Sequence, residues 1–230
     1  MSRVRLLAAF AAALVGLSVT APAVSAAPNN NKATVSVLHA IPAGKGADVV
    51  DVYAGDIRLL NNLTPGQLRT LKVRQGTYDI GIYADGSMPG SGQPLLAIDN
   101  AVFLAGTCST ITANLDATGA PTTNRFADCS AKNPVGFGRL TVRHIAAAPA
   151  VDFRANGEVV FGALTNGASA TKRVTAATYA ITVSLANNDA VVLGPTQVNA
   201  VRPFNTIVYA WGSATDGTLA LATQRVNAKG

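Results

Sequence analysis

The chain is poor in the residues that carry most protein chemistry. It holds two cysteines, two histidines, two methionines and one tryptophan in 230 residues. So few cysteines and histidines exclude a Cys-rich zinc module, which needs three or four such ligands at each ion. Aromatics make up 6% and charged residues 13% of the chain, while nearly half of it is apolar. A composition so low in charge does not suit a disordered chain. Packing falls mostly to Val, Ile, Leu and Ala. No run of basic residues is interleaved with aromatics, as nucleic-acid binding favours, so no nucleic-acid partner is expected. No HExxH or GxSxG motif occurs. Outside the first residues no segment keeps a 3.6-residue apolar period, which speaks against helices.

The N-terminus has what the rest lacks. Arg3 and Arg5 precede an apolar run from Leu6 to Val19, and Val24-Ser25-Ala26 offers small residues for cleavage. This is the pattern of a secretory signal peptide, assigned to residues 1–26. The run is about 14 residues, short for a bilayer span. No second run follows, so no membrane span is expected in the mature chain. The formal charge of +6 becomes +4 once Arg3 and Arg5 are removed. A mild basic excess outside a cell suits solubility, or weak affinity for anionic walls. In an exported chain, the pair Cys108 and Cys129 reads as one disulfide; two buried thiols or an intermolecular bridge are the rival readings.

The mature chain repeats itself. Val37-Leu38-His39 matches Val142-Arg143-His144, and Val50-Asp51-Val52 matches Val151-Asp152-Phe153. Leu63-Thr64-Pro65-Gly66 matches Leu164-Thr165-Asn166-Gly167, and Gly76-Thr77-Tyr78 matches Ala177-Thr178-Tyr179. Several matches at one offset identify tandem units. Each unit reads as short strands. Hairpins are expected at Gly55-Asp56 and at Asn156-Gly157. Turn residues recur about every 8 to 12 positions, as in a sandwich. The fold class expected is all-β: two tandem immunoglobulin-like or prealbumin-like antiparallel β-sandwiches, at residues 33–120 and 138–226. Residues 121–137, rich in Pro, Asn and Thr, read as the linker.

These same segments, Val37 to Pro42, Val50 to Tyr53, Leu63 to Gly66 and Gly76 to Tyr78, resemble a family of secreted bacterial domains of unknown function, number 4397. The first unit follows its pattern closely. The second departs from it, with Ile145 after His144 and Phe153-Arg154 in place of Val-Tyr. The resemblance implies an exported β-sandwich module. It implies no activity and no catalytic residues.

The only histidines, His39 and His144, stand at equivalent positions, and so do Asp51 and Asp152. A His/Asp pair can bind a ligand or act as a base with its orienter. The other reading is structural, with the imidazole nitrogens bonding the opening of the next strand. A catalytic site also needs a nucleophile, metal or oxyanion donors, and none is evident. No enzyme activity, cofactor or metal is therefore expected. The expected role is a secreted binding or structural module at the cell surface, recognising cell-wall polysaccharide or another extracellular polymer. A protein-interaction scaffold is the alternative, and a small hydrolase built on the His/Asp pairs is a third. If the units recognise something, the places to look are where they diverge: the Lys45 loop and the Gly86 to Pro94 insertion.

Overall fold

A computed structural model describes residues 31–228. The expected signal peptide lies outside the described residues. Within them the first unit forms β1 (Lys32–Ala40), β2 (Val50–Ala54), β3 (Ile57–Leu63), β4 (Leu68–Arg74), β5 (Gly76–Ala84), β6 (Leu96–Phe103), β7 (Cys108–Leu115) and β8 (Pro121–Ala127). The second forms β9 (Phe137–Ala147), β10 (Val151–Ala155), β11 (Glu158–Leu164), β12 (Ser169–Thr175), β13 (Ala177–Leu185), β14 (Val191–Ala200), β15 (Phe204–Ser213) and β16 (Ala220–Asn227).

Each unit is a sandwich of two four-stranded sheets. The first has the orders β4-β1-β7-β8 and β3-β2-β5-β6. The second repeats both, as β12-β9-β15-β16 and β11-β10-β13-β14. Immunoglobulin sandwiches place their first two strands side by side. Here the first strand lies beside the fourth and seventh, so the prealbumin-like alternative holds. Pairing is antiparallel except for β1 with β7 and β9 with β15, which are parallel.

Period-two alternation sends side chains to opposite faces. Ala33, Val35 and Val37 of β1 enter the first core. Leu38 and Ala40 face away, into an apolar cluster with Ile145, Ile207 and Tyr209 of the second unit. Phe126 and Trp211 pack against that cluster. Sheet β4-β1-β7-β8 therefore lies against sheet β12-β9-β15-β16. The parallel central strands are buried on both sides, the usual setting for parallel pairing.

One boundary differs from expectation. Pro121–Ala127, read as linker, is a strand that pairs with β7 along its whole length. Its turn-like composition suits an edge, where a proline at the first position removes no needed donor. The connection between the units is shorter for it. Cys108 and Cys129 are bonded, with Cα atoms 5.0 Å apart, which ties that connection to the start of β7.

Candidate functional site

The two histidines share one geometry. His39 is fully buried. Its Nε2–H donates to the carbonyl of Ala47 at 2.6 Å, and its Nδ1 accepts the N–H of Ile41 at 3.4 Å. His144 repeats this, with Pro149 O at 3.0 Å and the Ala146 N–H at 3.4 Å. One nitrogen donates and the other accepts, so both rings are neutral. Burial pushes both imidazoles below their ordinary value, partly offset by the backbone carbonyls and, for His39, by Asp48.

The aspartates do different work. Asp51 Oδ1 accepts the N–H of Asn62 at 2.9 Å, and Asp152 Oδ1 accepts that of Ala163 at 2.7 Å. Asn62 and Ala163 sit at φ 53° and 52°, where the register of β2 with β3 and of β10 with β11 slips. The carboxylate steadies a bulge in a left-handed conformation that L-residues otherwise avoid. The structure forms no hydrogen bond between His39 and Asp51 or between His144 and Asp152. All four side chains hydrogen-bond backbone groups, because each sits where a strand ends or bulges and leaves polar groups to satisfy.

Two tyrosines and the tryptophan also serve the frame. Tyr78 and Tyr179 donate their hydroxyls to the carbonyls of Arg74 and Thr175. Trp211 packs at the junction of the units, against Gly66, where an added Cβ would lie 3.1 Å from its ring. The Lys45 loop is tied to the second unit. Asp48 accepts the Gly44 N–H, and Lys45 pairs with Asp216 of the second unit at 2.8 Å.

A polar network crosses the junction. Arg143 Nη2 donates to Asp128 Oδ1 at 2.7 Å, with both side chains 1% exposed. Asp128 also accepts the Thr110 hydroxyl at 2.7 Å. Arg143 Nη1 donates to the Tyr209 hydroxyl at 2.7 Å, and its guanidinium lies 4.3 Å above the Phe126 ring. Tyr209 donates to Gln224, whose amide donates to Ser36 at 2.9 Å. Burial, aided by the Asp128 charge and opposed by Arg143, pushes the Tyr209 hydroxyl up to about 12. Sequence reasoning missed this network. Its one sequence signal is Arg143, a charge at the position where the first unit has Leu38.

The units differ on the outer face of sheet β3-β2-β5-β6. Val50, Val52, Ile80 and Ile82 enter the core, so Tyr53, Gly81 and Tyr83 point outward. The Tyr53 and Tyr83 rings meet edge to face, 5.4 Å apart. Tyr83 lies across Gly81, where a Cβ would come within 2.5 Å of the ring. Glycine is required there by the close approach of the ring. Over this face folds the Gly86 to Pro94 insertion. Its Pro89 and Pro94, with Asp56, Asp79, Asp99 and Tyr83, line a pocket of about 230 Å³. In the second unit Arg154 and Ser184 stand at the places of Tyr53 and Tyr83 in the same pairing. Arg154 Nε donates to Ser184 at 3.0 Å and the guanidinium pairs with Asp189, so an ion pair covers that face.

A repeated eight-stranded sandwich, with its histidines and aspartates holding backbone and a pocket on the outer face of its first unit, defines a tandem β-sandwich protein. The chain belongs to the family described as Domain of unknown function (DUF4397), which matches residues 33–154. That match runs from β1 into β10 and does not itself mark two copies. No curated protein matches the chain. Among solved structures it is similar to the Bacillus anthracis TIE protein at 11% identity and a TM-score of 0.26. That likeness covers 86% of this chain, which spans 31% of the length of the other.

Proposed function

We propose that the chain is an exported, non-catalytic binding module that presents the outer face of its first sandwich to a cell-wall or other extracellular polymer. The observation that carries this is the divergence of the two units. They keep the same strands, buried histidines and bulge aspartates. They part at the face where Tyr53, Gly81, Tyr83 and the Gly86 to Pro94 insertion shape a pocket in one and Arg154 pairs with Asp189 in the other. Binding residues concentrate on loops carried by a rigid scaffold. The junction of the units supplies that rigidity through the Arg143–Asp128 pair and the Cys108–Cys129 bond.

The test expresses the chain with its own leader, recovers the exported product and sediments it with insoluble wall polysaccharide. The expected N-terminus is Ala27, or Pro28 if cleavage falls one residue later. The wild type is expected to sediment with the polymer. A variant whose residues 86–94 are replaced by a short Gly-Ser turn is expected to stay in solution. Equal sedimentation of the two, or none by the wild type, overturns the reading.

A further inference from the structure

We infer that the pocket on the first sandwich takes a glycan carrying free, protonated amino groups: a de-N-acetylated amino-sugar polymer. This rests on the binding role proposed above and names its ligand class.

Charge gives the first half of the inference. Asp56, Asp79 and Asp99 line the pocket, and no Lys, Arg or His does. One oxygen of Asp79 takes the Asn100 N–H at 2.8 Å. Asp56 and Asp99 make no side-chain hydrogen bond among the described residues. In a chain of formal charge +6, this is a local concentration of the opposite sign. It favours a cationic ligand.

Shape and spacing give the second half. Among the described residues no three acids, histidines or cysteines converge closely enough to hold a metal ion. The carboxylates come from the β2–β3 turn, β5 and β6, so the acceptors are spread rather than focused. A single ion or a lone ammonium would use one point. A ligand with donors distributed over a ring uses several. Tyr83 adds one more polar group. It is 8% exposed, and its hydroxyl has no hydrogen-bond partner among the described residues. Nor is that hydroxyl sealed from solvent, so it keeps access through the pocket it lines. Pro89 and Pro94 offer flat apolar surface for the C–H face of a pyranose. An amino sugar joins the three properties: one positive charge, several hydroxyl donors and a flat apolar face.

The experiment uses the full mature chain and follows backbone amides by NMR during titration with a glucosamine hexamer. Two further probes are an N-acetylglucosamine hexamer and hexalysine. The glucosamine hexamer is expected to shift Gly81, Tyr83 and residues 86–94. The acetylated hexamer should bind at least about tenfold more weakly, since each exposed ion pair contributes up to about fivefold and several act together. Asp56→Asn combined with Asp99→Asn should weaken binding about tenfold, and raising salt should weaken it further. Tyr83→Phe should weaken it severalfold with an unchanged melting temperature. Equal binding of the two sugars, unaltered binding by the Asn variant, or binding of hexalysine in preference to the sugar overturns the inference. If the wall polymer retains the protein while the glucosamine hexamer shifts nothing, the amino-sugar assignment falls and the wall-binding reading stands. If neither binds, both fall.

Discussion

Arg143 of β9 and Asp128, which follows β8, meet at 2.7 Å in the junction between the two sandwiches, each only 1% exposed. Neither charge has water to fall back on. Thr110, Tyr209, Ser169 and the Ala127 carbonyl add further polar contacts, and the Phe126 ring lies under the guanidinium. Such a pair gives little net stability over an apolar replacement, but loss of one member leaves the other charge stranded.

Arg143→Met or Asp128→Leu alone is therefore expected to lower stability by about 3–5 kcal/mol. The double variant Arg143→Met with Asp128→Leu is expected to recover much of that loss. Urea unfolding of the four proteins measures the coupling. Full additivity of the single losses would contradict this account.

The disulfide closes a loop with a sequence separation of 21 and holds the residue next to Asp128. Replacing both cysteines by serine should cost about 3 kcal/mol by loop entropy. It should also weaken the Arg143–Asp128 pair, so the two sets of variants should not be additive. Non-reducing peptide mapping should show Cys108 joined to Cys129. A free thiol at Cys129 would contradict the bond.

Burial holds His39 and His144 below the ordinary imidazole value of 6.5. The unfolded chain then takes up protons first as pH falls. Stability from these groups is complete above about pH 6.5 and is lost progressively below it, toward the lowered folded values. Asp116 and Asp216 are held below the ordinary carboxylate value by hydrogen bonds from Thr118 and Lys45 respectively. Their contribution is lost only as pH falls below about 3.8. Urea midpoints should be level from pH 7 to 8 and fall between pH 6.5 and 5. A His39→Gln/His144→Gln variant should be less stable at pH 7 and show a flatter slope in that window.

Ala163 occupies the left-handed region at φ 52°, steadied by Asp152. Ala163→Gly removes the steric clash and adds entropy to the unfolded chain, for a net gain of roughly 0.5–1 kcal/mol. Asp152→Ala leaves the exposed bulge N–H to water and should cost about 0.5–1.5 kcal/mol. A thermal melt of each variant reads both signs.

Much of the fold was legible because its signals are local. The Asn156-Gly157 hairpin, the recurrence of Val-Asp and the recurrence of Thr-Tyr each depend on a few adjacent residues. β8 was not legible. Pro121-Thr122-Thr123-Asn124 carries turn chemistry, and only pairing with β7 makes it a strand. The site was less legible still. In sequence the repeated histidines and aspartates suit either a ligand contact or the frame, and only the folded chain brings them to the backbone of Ala47, Pro149, Asn62 and Ala163.

By itself the sequence determined that two similar units of short strands follow one another, and that cysteine and histidine are too scarce for a metal-rich site. Those are properties of composition and near-neighbour pattern, which folding does not change. The tertiary structure decided which faces are used. Arg143, Tyr209, Asp128 and Gln224 come from four separate segments and become a network only when two sheets close on each other. Asp56, Asp79 and Asp99 share a pocket only because β2, β5 and β6 lie side by side beneath the insertion. Strand alternation names two faces, but packing between distant segments sets which is core, which is junction and which stays open.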